Sequence, residues 1–175
     1  MLMKKVVLTI TMLTFLVACS HSRNKKSEGD FQNYKAISKY PLPDKNVNDW
    51  EGILIKPQYE LLDSIIRNIE INSTDQVILV TVKDAVPYKS LKDFGTDLRK
   101  YWVDAAAENR CDLMIAFSAG MRNVWVGTSA ETSKILTDSM AQQIINKYMV
   151  PQFKRQAYYE GLRDGLLACQ GILTK

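Results

Sequence analysis

Side chains that could do chemistry are concentrated in one polar stretch, between residues 128 and 138. Hydroxyls and carboxylates of this kind can hold a hard metal ion or bind a polar ligand. The stretch follows an apolar segment, and a polar loop that leaves a rigid strand is a frequent place for functional residues. Two interpretations stay open, a functional site or a solvated loop that only caps the next helices. The side chains concerned are Thr128, Ser129, Glu131, Thr132, Ser133, Thr137 and Asp138.

The histidine content limits which reactions are open to this chain. The single histidine, His21, lies near the N-terminus, so the part of the chain that is predicted to fold has none. This excludes Ser-His-Asp and Cys-His nucleophile pairs, His-ligated zinc and a phosphohistidine intermediate. Any chemistry must therefore come from carboxylates, hydroxyls, backbone amides, Lys, Arg or a hard metal ion.

The first 18 residues have the pattern of a secretory signal peptide. A basic start precedes an apolar run over residues 6–17, which is shorter than the helix of about 20 residues that spans a bilayer. The run ends in Leu-Val-Ala-Cys, which resembles a bacterial lipobox, so Cys19 is predicted to carry the lipid. Acyl chains contribute about 0.8 kcal/mol per buried CH₂, enough to hold a multiply acylated chain on a bacterial membrane in the cell envelope. The alternative is an ordinary signal peptide with a chance cysteine.

Residues 19–46 are predicted to be a tether, and residues 47–175 the folded domain. The tether begins with a polar segment that cannot bury a core, and Pro41 and Pro43 continue it as extended chain. The remaining length suffices for a single domain with a core of its own. Two cysteines fall in this domain, Cys111 and Cys169, and an exported chain could bridge them.

The net charge argues against nucleic acid as a partner. The whole chain carries +4, and removal of Lys4 and Lys5 with the signal leaves +2. No basic stripe with interleaved aromatic residues accompanies this mild charge. We therefore expect no nucleic-acid binding.

Apolar periodicity predicts a small mixed sheet with helices on both faces, an α/β/α sandwich. The helix between the first two strands implies a parallel pair with a right-handed crossover. A tight turn at Gly120 makes the third strand antiparallel to the second, and Pro151 is expected to stop the helix that Thr137 caps. The predicted strands are residues 76–82, 113–117 and 123–127, and the helices cover residues 57–69, 91–110, 137–150 and 157–172.

Seven segments, in this order, resemble motifs of one known family. They are Val47-Asn48-Asp49-Trp50, Gln76–Val82, Trp102, Leu113–Phe117, Leu136-Thr137-Asp138, Pro151-x-Phe153 and Tyr158-Tyr159-Glu160-Gly161. Together they make residues 47–172 similar to the TPM domain, in the variant carried by small bacterial lipoproteins. The family's fold is a Rossmann-like α/β/α sandwich, in agreement with the fold class that periodicity predicts.

The resemblance also implies candidate site residues. Some members of the family are assigned acid phosphatase activity with calcium or magnesium, and acidic residues at the edge of the sheet are the supposed ligands. Asp49 and Asp138 match two such positions, and the third ligand is either Glu131 or Asp112. From the resemblance we expect these carboxylates to gather at one edge of the sheet and to bind Ca²⁺ or Mg²⁺ weakly.

Two functions follow from these patterns. Other members of the family are accessory proteins of membrane complexes, so the first is a membrane-anchored binding module that docks on an envelope protein through the hairpin and the polar loop. The second is a divalent-metal-dependent acid phosphatase of low activity. Ser129 stands where the family's G-x-G-x-E motif has its second glycine, and this departure favours the binding module.

Overall fold

The structure, a computed structural model, describes residues 40–105 and 110–175. The predicted signal peptide, Cys19 and most of the predicted tether lie outside these residues. The domain is built around a four-stranded sheet in the order β1-β2-β3-β4, in which β1, β2 and β3 are parallel and β4 is antiparallel to β3. The strands are β1 Val47–Asp49, β2 Val77–Thr81, β3 Leu113–Ser118 and β4 Asn123–Thr128.

The predicted strand pairings are confirmed. β2 pairs in parallel with β3, and β4 returns antiparallel beside β3. Every residue of β2 and β3 is buried, which explains why both sequences are continuous apolar runs. β1 is missing from the sequence prediction, because three residues with polar Asn48 at their centre lack the length and alternation of a strand.

Two helices begin close to their predicted starts, each at a side-chain cap. The N–H of Asp93 donates to Ser90 Oγ (3.1 Å) at the start of α2, and the N–H of Met140 donates to Thr137 Oγ1 (3.3 Å) at the start of α3. The helices of the described residues are α1 Lys56–Asn72, α2 Leu91–Ala105, α3 Asp138–Ile144, α4 Val150–Phe153 and α5 Tyr158–Leu173.

Pro151 does not stop the helix that Thr137 caps, so this prediction is wrong. α3 continues through a π-helical turn, Ile145–Met149, directly into α4, which ends at Phe153. Pro151 lies in the first turn of α4, where a missing N–H is tolerated. The wider turn just before it changes the hydrogen-bonding register, so the proline breaks no regular α-helical run.

Helices cover both faces of the sheet, which confirms the α/β/α sandwich. α1, α3 and α5 share one hydrophobic core, which includes Leu79, Ile115 and Val126 of the sheet. α2 packs on the opposite face, against Val80 and Ala116. The side chains of successive strand residues enter different cores, as the pleat requires.

The two crossover connections have opposite hands. Both β1-α1-β2 and β2-α2-β3 step in the same direction across the sheet, yet α1 and α2 lie on opposite faces. One of the two is therefore left-handed, an exception to a strong rule for parallel strands. The right-handed crossover expected between β2 and β3 requires the short β1-α1-β2 unit to be the exception.

The two cysteines of the domain are free and buried. Cys111 belongs to the core under α2 and Cys169 to the core on the opposite face, so the sheet separates them. Burial raises the pKa of each thiol to about 12, which keeps both protonated and unreactive near neutral pH. The bridge that the sequence left open is not formed.

Contacts with the domain begin before β1. Tyr40 is 9% exposed, and its hydroxyl donates to Asp97 Oδ2 on α2 (2.8 Å). The indole N–H of Trp102 donates to the carbonyl oxygen of Pro41 (2.7 Å). The last residues of the predicted tether therefore lie along α2.

Candidate functional site

Asp49 lies at the carboxyl edge of the sheet, where β1, β2 and β3 end, and its carboxylate organises the loop that follows β1. The N–H groups of Gly52 and Ile53 donate to Oδ1 (3.1 and 3.2 Å), and that of Leu54 donates to Oδ2 (2.9 Å). The hydroxyl of Thr81 also donates to Oδ1. Both carboxylate oxygens are thus used by the protein's own donors.

A second carboxylate, Glu51, closes the same edge. The N–H of Ala119 donates to Oε2 (2.9 Å) and that of Gly120 to Oε1 (3.0 Å), so Glu51 binds the backbone of the β3–β4 turn. Successive turn amides make a concave anion site. Here the anion is the chain's own side chain. The sequence analysis missed Glu51, since only the folded chain brings it to a turn 68 residues away.

Asp112 lies at the opposite, amino edge, where the parallel strands begin. It is 8% exposed and precedes β3 directly. Its Oδ2 accepts the backbone N–H of Gln76 (2.9 Å) and pairs with the guanidinium of Arg110 (2.8 Å). These contacts link the starts of β2 and β3.

Hydroxyl groups of the polar stretch after β4 form hydrogen bonds that hold this loop in place. The hydroxyl of Thr132 donates to Asp75 Oδ1 (2.6 Å), and Ser129 Oγ accepts the N–H of Thr132 (3.2 Å). Glu131 points to solvent and pairs with Lys134 (2.6 Å). These contacts support the capping interpretation for Ser129, Glu131 and Thr132.

The four carboxylates expected to bind a metal do not fit one hard cation. Calcium takes about six to eight oxygen ligands that converge on one point. Asp49 and Asp112 lie at opposite edges of the sheet, Glu131 is ion-paired in the loop after β4, and Asp138 is exposed at the start of α3. Within residues 40–105 and 110–175, no three acidic, histidine or cysteine side chains form a group that could hold a metal ion. Asp49 is the last residue of β1 at the carboxyl edge and Asp112 precedes β3 at the amino edge, so these two carboxylates do not gather. Weak metal binding that involves Asp49 and Asp138 stays a prediction.

The outer edge of β4 offers unused hydrogen-bonding groups instead. The N–H of Val82 donates to the carbonyl oxygen of Phe117 (2.9 Å), so Phe117 turns its backbone groups towards β2. Phe117 is opposite Val124 in the β3–β4 ladder, so Val124 turns its own N–H and C=O away from the sheet. The same alternation turns Val126 and Thr128 outwards, and the backbone of these three residues makes no hydrogen bond within the described chain.

Two helices flank this open edge and make it the floor of a groove of about 350 Å³. Lys92, Thr96 and Arg99 line one wall, at the i, i+4, i+7 spacing of a single stripe on α2. Asp138, Gln142 and Ile145 line the other wall, at the same spacing on α3 and the turn that follows. Of the four predicted metal ligands, which all lie in the described residues, Asp138 alone lines this groove.

Trp125 covers the α2 side of the groove because two glycines leave room for its indole. A β-carbon on Gly95 of α2, or on Gly127 two residues further along β4, would overlap the indole ring. Gly127 matches the first glycine of the family's G-x-G-x-E motif, and here its function is to admit Trp125. A glycine inside an apolar helix face and another inside a strand are the sequence signals for such a close approach.

A model of the TPM domain matches residues 47–172. The chain belongs to the TPM domain family. The match covers the four strands and ends inside α5. No curated protein matches the chain closely enough to serve as a relative.

Solved structures agree with the fold of this TPM domain. The N-terminal domain of a protein from P. gingivalis is 28% identical, with a TM-score of 0.63, over 74% of this chain and 82% of that one. The BA42 protein from the psychrophilic bacterium Bizionia argentinensis has a TM-score of 0.58 at 16% identity, over 71% of this chain and 83% of that one. The N-terminal domain of cg2496 from Corynebacterium glutamicum has a TM-score of 0.56 at 11% identity, over 78% of this chain and 86% of that one. The last two show the fold alone.

Proposed function

We propose that this chain is a membrane-anchored TPM-domain lipoprotein that acts as a binding or accessory module in the cell envelope. One contrast carries the proposal. Asp49 and Glu51 lie at the carboxyl edge of the sheet, where α/β folds commonly bind ligands, and each of their carboxylate oxygens already accepts a hydrogen bond from the chain itself. The outer edge of β4, in contrast, presents unused donors and acceptors between walls formed by two helices.

The anchor in this proposal is Cys19. Its support comes from the sequence, in which a signal-like segment ends in Leu-Val-Ala-Cys and a polar segment follows. In the described part of the chain, no helix is both long enough and apolar enough to cross a membrane. A lipid on Cys19 would confine the domain to the membrane surface and raise its effective concentration towards membrane-bound partners.

The docking surface in this proposal is the β4 groove, defined as the outer edge of β4 with the α2 wall and the α3 wall. It contains backbone groups that a partner segment can pair with, and side chains on both walls that can select the partner. The phosphatase alternative gains no support from the described residues, since the carboxylates assigned to it serve loops, strand starts and solvent contacts separately.

Site-specific photocrosslinking in the cells that encode the chain tests the proposal. A photoreactive residue at Thr96, exposed on the α2 wall, is expected to give a discrete adduct with one envelope protein. The same residue at Ser64, exposed on α1 across the sheet, is the matched control and should give none. In the Cys19→Ser variant the chain should leave the membrane fraction, and the Thr96 adduct should fall sharply. No adduct from Thr96, or equal adducts from both positions, contradicts the docking surface. An unchanged membrane fraction after Cys19→Ser contradicts the anchor.

A further inference from the structure

We propose that the β4 groove binds an extended peptide segment with acidic side chains on one face, which adds to the sheet as a fifth strand. This inference rests on the proposed binding function and specifies the chemistry of the partner. It follows from the backbone groups of β4, the shape of the groove and the charges of its walls.

The backbone of β4 sets the conformation of the partner. Val124, Val126 and Thr128 each turn an N–H and a C=O out of the sheet, at every second residue. A strand that lies alongside can pair with this row as β3 pairs with the inner one, about 4.8 Å away. Such strand addition obtains affinity from main-chain hydrogen bonds and specificity from alternate side chains.

The two walls require different side chains on the two faces of the added strand. On the α2 side, Lys92 and Arg99 are separated by seven positions, about 10 Å along the helix axis, with the hydroxyl of Thr96 between them. On the α3 side, the groove is lined by Ala141 and Ile145, both buried in the core, and by Asp138 and Gln142. The carboxylate of Asp138 disfavours acidic side chains on this face, and the two buried residues favour apolar ones. A strand that alternates acidic and apolar residues matches both walls at once, because its successive side chains point to opposite faces.

The wall charges argue against a second copy of the chain as the occupant. Antiparallel pairing of two β4 edges about a two-fold axis keeps the same faces together. Lys92 and Arg99 of one copy would then lie beside those of the other, and the two Asp138 side chains would also face each other. Like charges placed in this way disfavour pairing, whereas an acidic segment is attracted to the α2 wall.

A synthetic peptide tests the inference directly on the full chain. The peptide has six residues, the length of β4, with capped ends and alternating Glu and Val. Amide hydrogen exchange is followed by NMR with and without it. The peptide is expected to slow exchange of the N–H groups of Val124, Val126 and Thr128, since strand addition would bury them in hydrogen bonds. A peptide that alternates Lys and Val should have no such effect.

Charge-reversal variants distinguish binding in the β4 groove from nonspecific electrostatic attraction to the protein. Lys92→Glu, on the exposed α2 wall, is expected to weaken binding of the Glu-Val peptide about tenfold. Lys56→Glu makes the same change on α1, on the other face of the sheet, and should leave the affinity unchanged. Val124→Pro removes one outward N–H, which an edge strand tolerates, and should abolish protection of Val126 and Thr128.

Four outcomes would overturn the inference. These are no protection by the Glu-Val peptide, equal protection by the Lys-Val peptide, equal loss in Lys92→Glu and Lys56→Glu, and protection that rises with protein concentration in the absence of peptide. The last outcome would identify a second copy as the occupant. If the peptide fails while Thr96 still gives its adduct in cells, the acidic chemistry is wrong and the proposed binding function stands.

Discussion

Replacement of Asp49 by alanine should lower the free energy of unfolding by about 2–3 kcal/mol. The carboxylate accepts hydrogen bonds from the N–H groups of Gly52, Ile53 and Leu54, and from the hydroxyl of Thr81, which is fully buried. Hydrogen bonds to a charged group contribute about 1.5–3 kcal/mol, and unsatisfied buried donors cost a comparable amount. Partial exposure of the loop lets water satisfy some of these donors, which keeps the loss below the sum. Urea unfolding of the full chain measures the change.

Asp138→Ala is the matched control for this prediction. Asp138 is exposed in the first turn of α3, where a carboxylate contributes about 0.3–1 kcal/mol through the helix dipole. If the two residues were equivalent metal ligands, both variants would keep the metal-free stability and lose any stabilisation by calcium. We expect instead a large loss for Asp49 without metal and a small one for Asp138. Equal stability of Asp49→Ala and the wild type would contradict the structural function of this carboxylate.

Gly120→Ala should destabilise the domain by about 1–3 kcal/mol, the usual cost of overpacking. A β-carbon at this position would overlap the carbonyl oxygen of Lys83. Backbone atoms cannot rotate away as a side chain can, so the β3–β4 turn must shift. The shift would also strain the hydrogen bonds from Ala119 and Gly120 to Glu51. Thermal unfolding followed by circular dichroism reports the loss.

Gly171→Ala is expected to have the opposite effect on the stability of the same domain. Gly171 lies in α5 with no neighbour that a β-carbon would meet within 4 Å. Alanine is favoured over glycine in a helix by up to about 1 kcal/mol, so this variant should be slightly stabilised. Similar losses in both variants would mean that the close approach of Gly120 to Lys83 is not the cause.

Much of the fold could be predicted because the central strands are fully buried. β2 and β3 are apolar on both faces, so their sequences stand out without any knowledge of pairing. β1 could not be found in this way, since its pairing with β2 and not its own composition makes it a strand. The π-helical turn before Pro151 also depends on packing against α5, which local propensity does not encode.

Two of the carboxylates predicted to gather, Asp49 and Asp112, are separated for a topological reason. Asp112 precedes β3, whereas Asp49 is the last residue of β1, which runs parallel to β3 in the same sheet, so the two lie at opposite edges. Once β1 is known to be a strand, this separation follows. Without β1, Asp49 could be placed near any other carboxylate. A motif match to a family gives the order of the matching residues along the chain. It does not give the positions of their side chains in the fold.

Only part of the β4 groove could be predicted from the sequence. The sequence leaves open whether the polar stretch is a functional site or a capping loop, and two of its residues, Thr128 and Asp138, line the groove. The strand order, however, decides that β4 is at the edge of the sheet, and the packing of α2 and α3 decides which side chains stand beside it. In the sequence, the spacing of Lys92, Thr96 and Arg99 indicates only the solvated face of an amphipathic helix.

Amide hydrogen exchange along β4 in the isolated full chain tests most directly that this edge is open. The N–H groups of Trp125 and Gly127 point towards β3, whereas those of Val124, Val126 and Thr128 point out of the sheet. The account predicts an alternating pattern, with the outward amides exchanging at least about tenfold faster than the inward ones, since exchange from a hydrogen-bonded strand requires opening. Uniform protection from Val124 to Thr128 would contradict it, because the edge would then already be covered and unavailable to a partner.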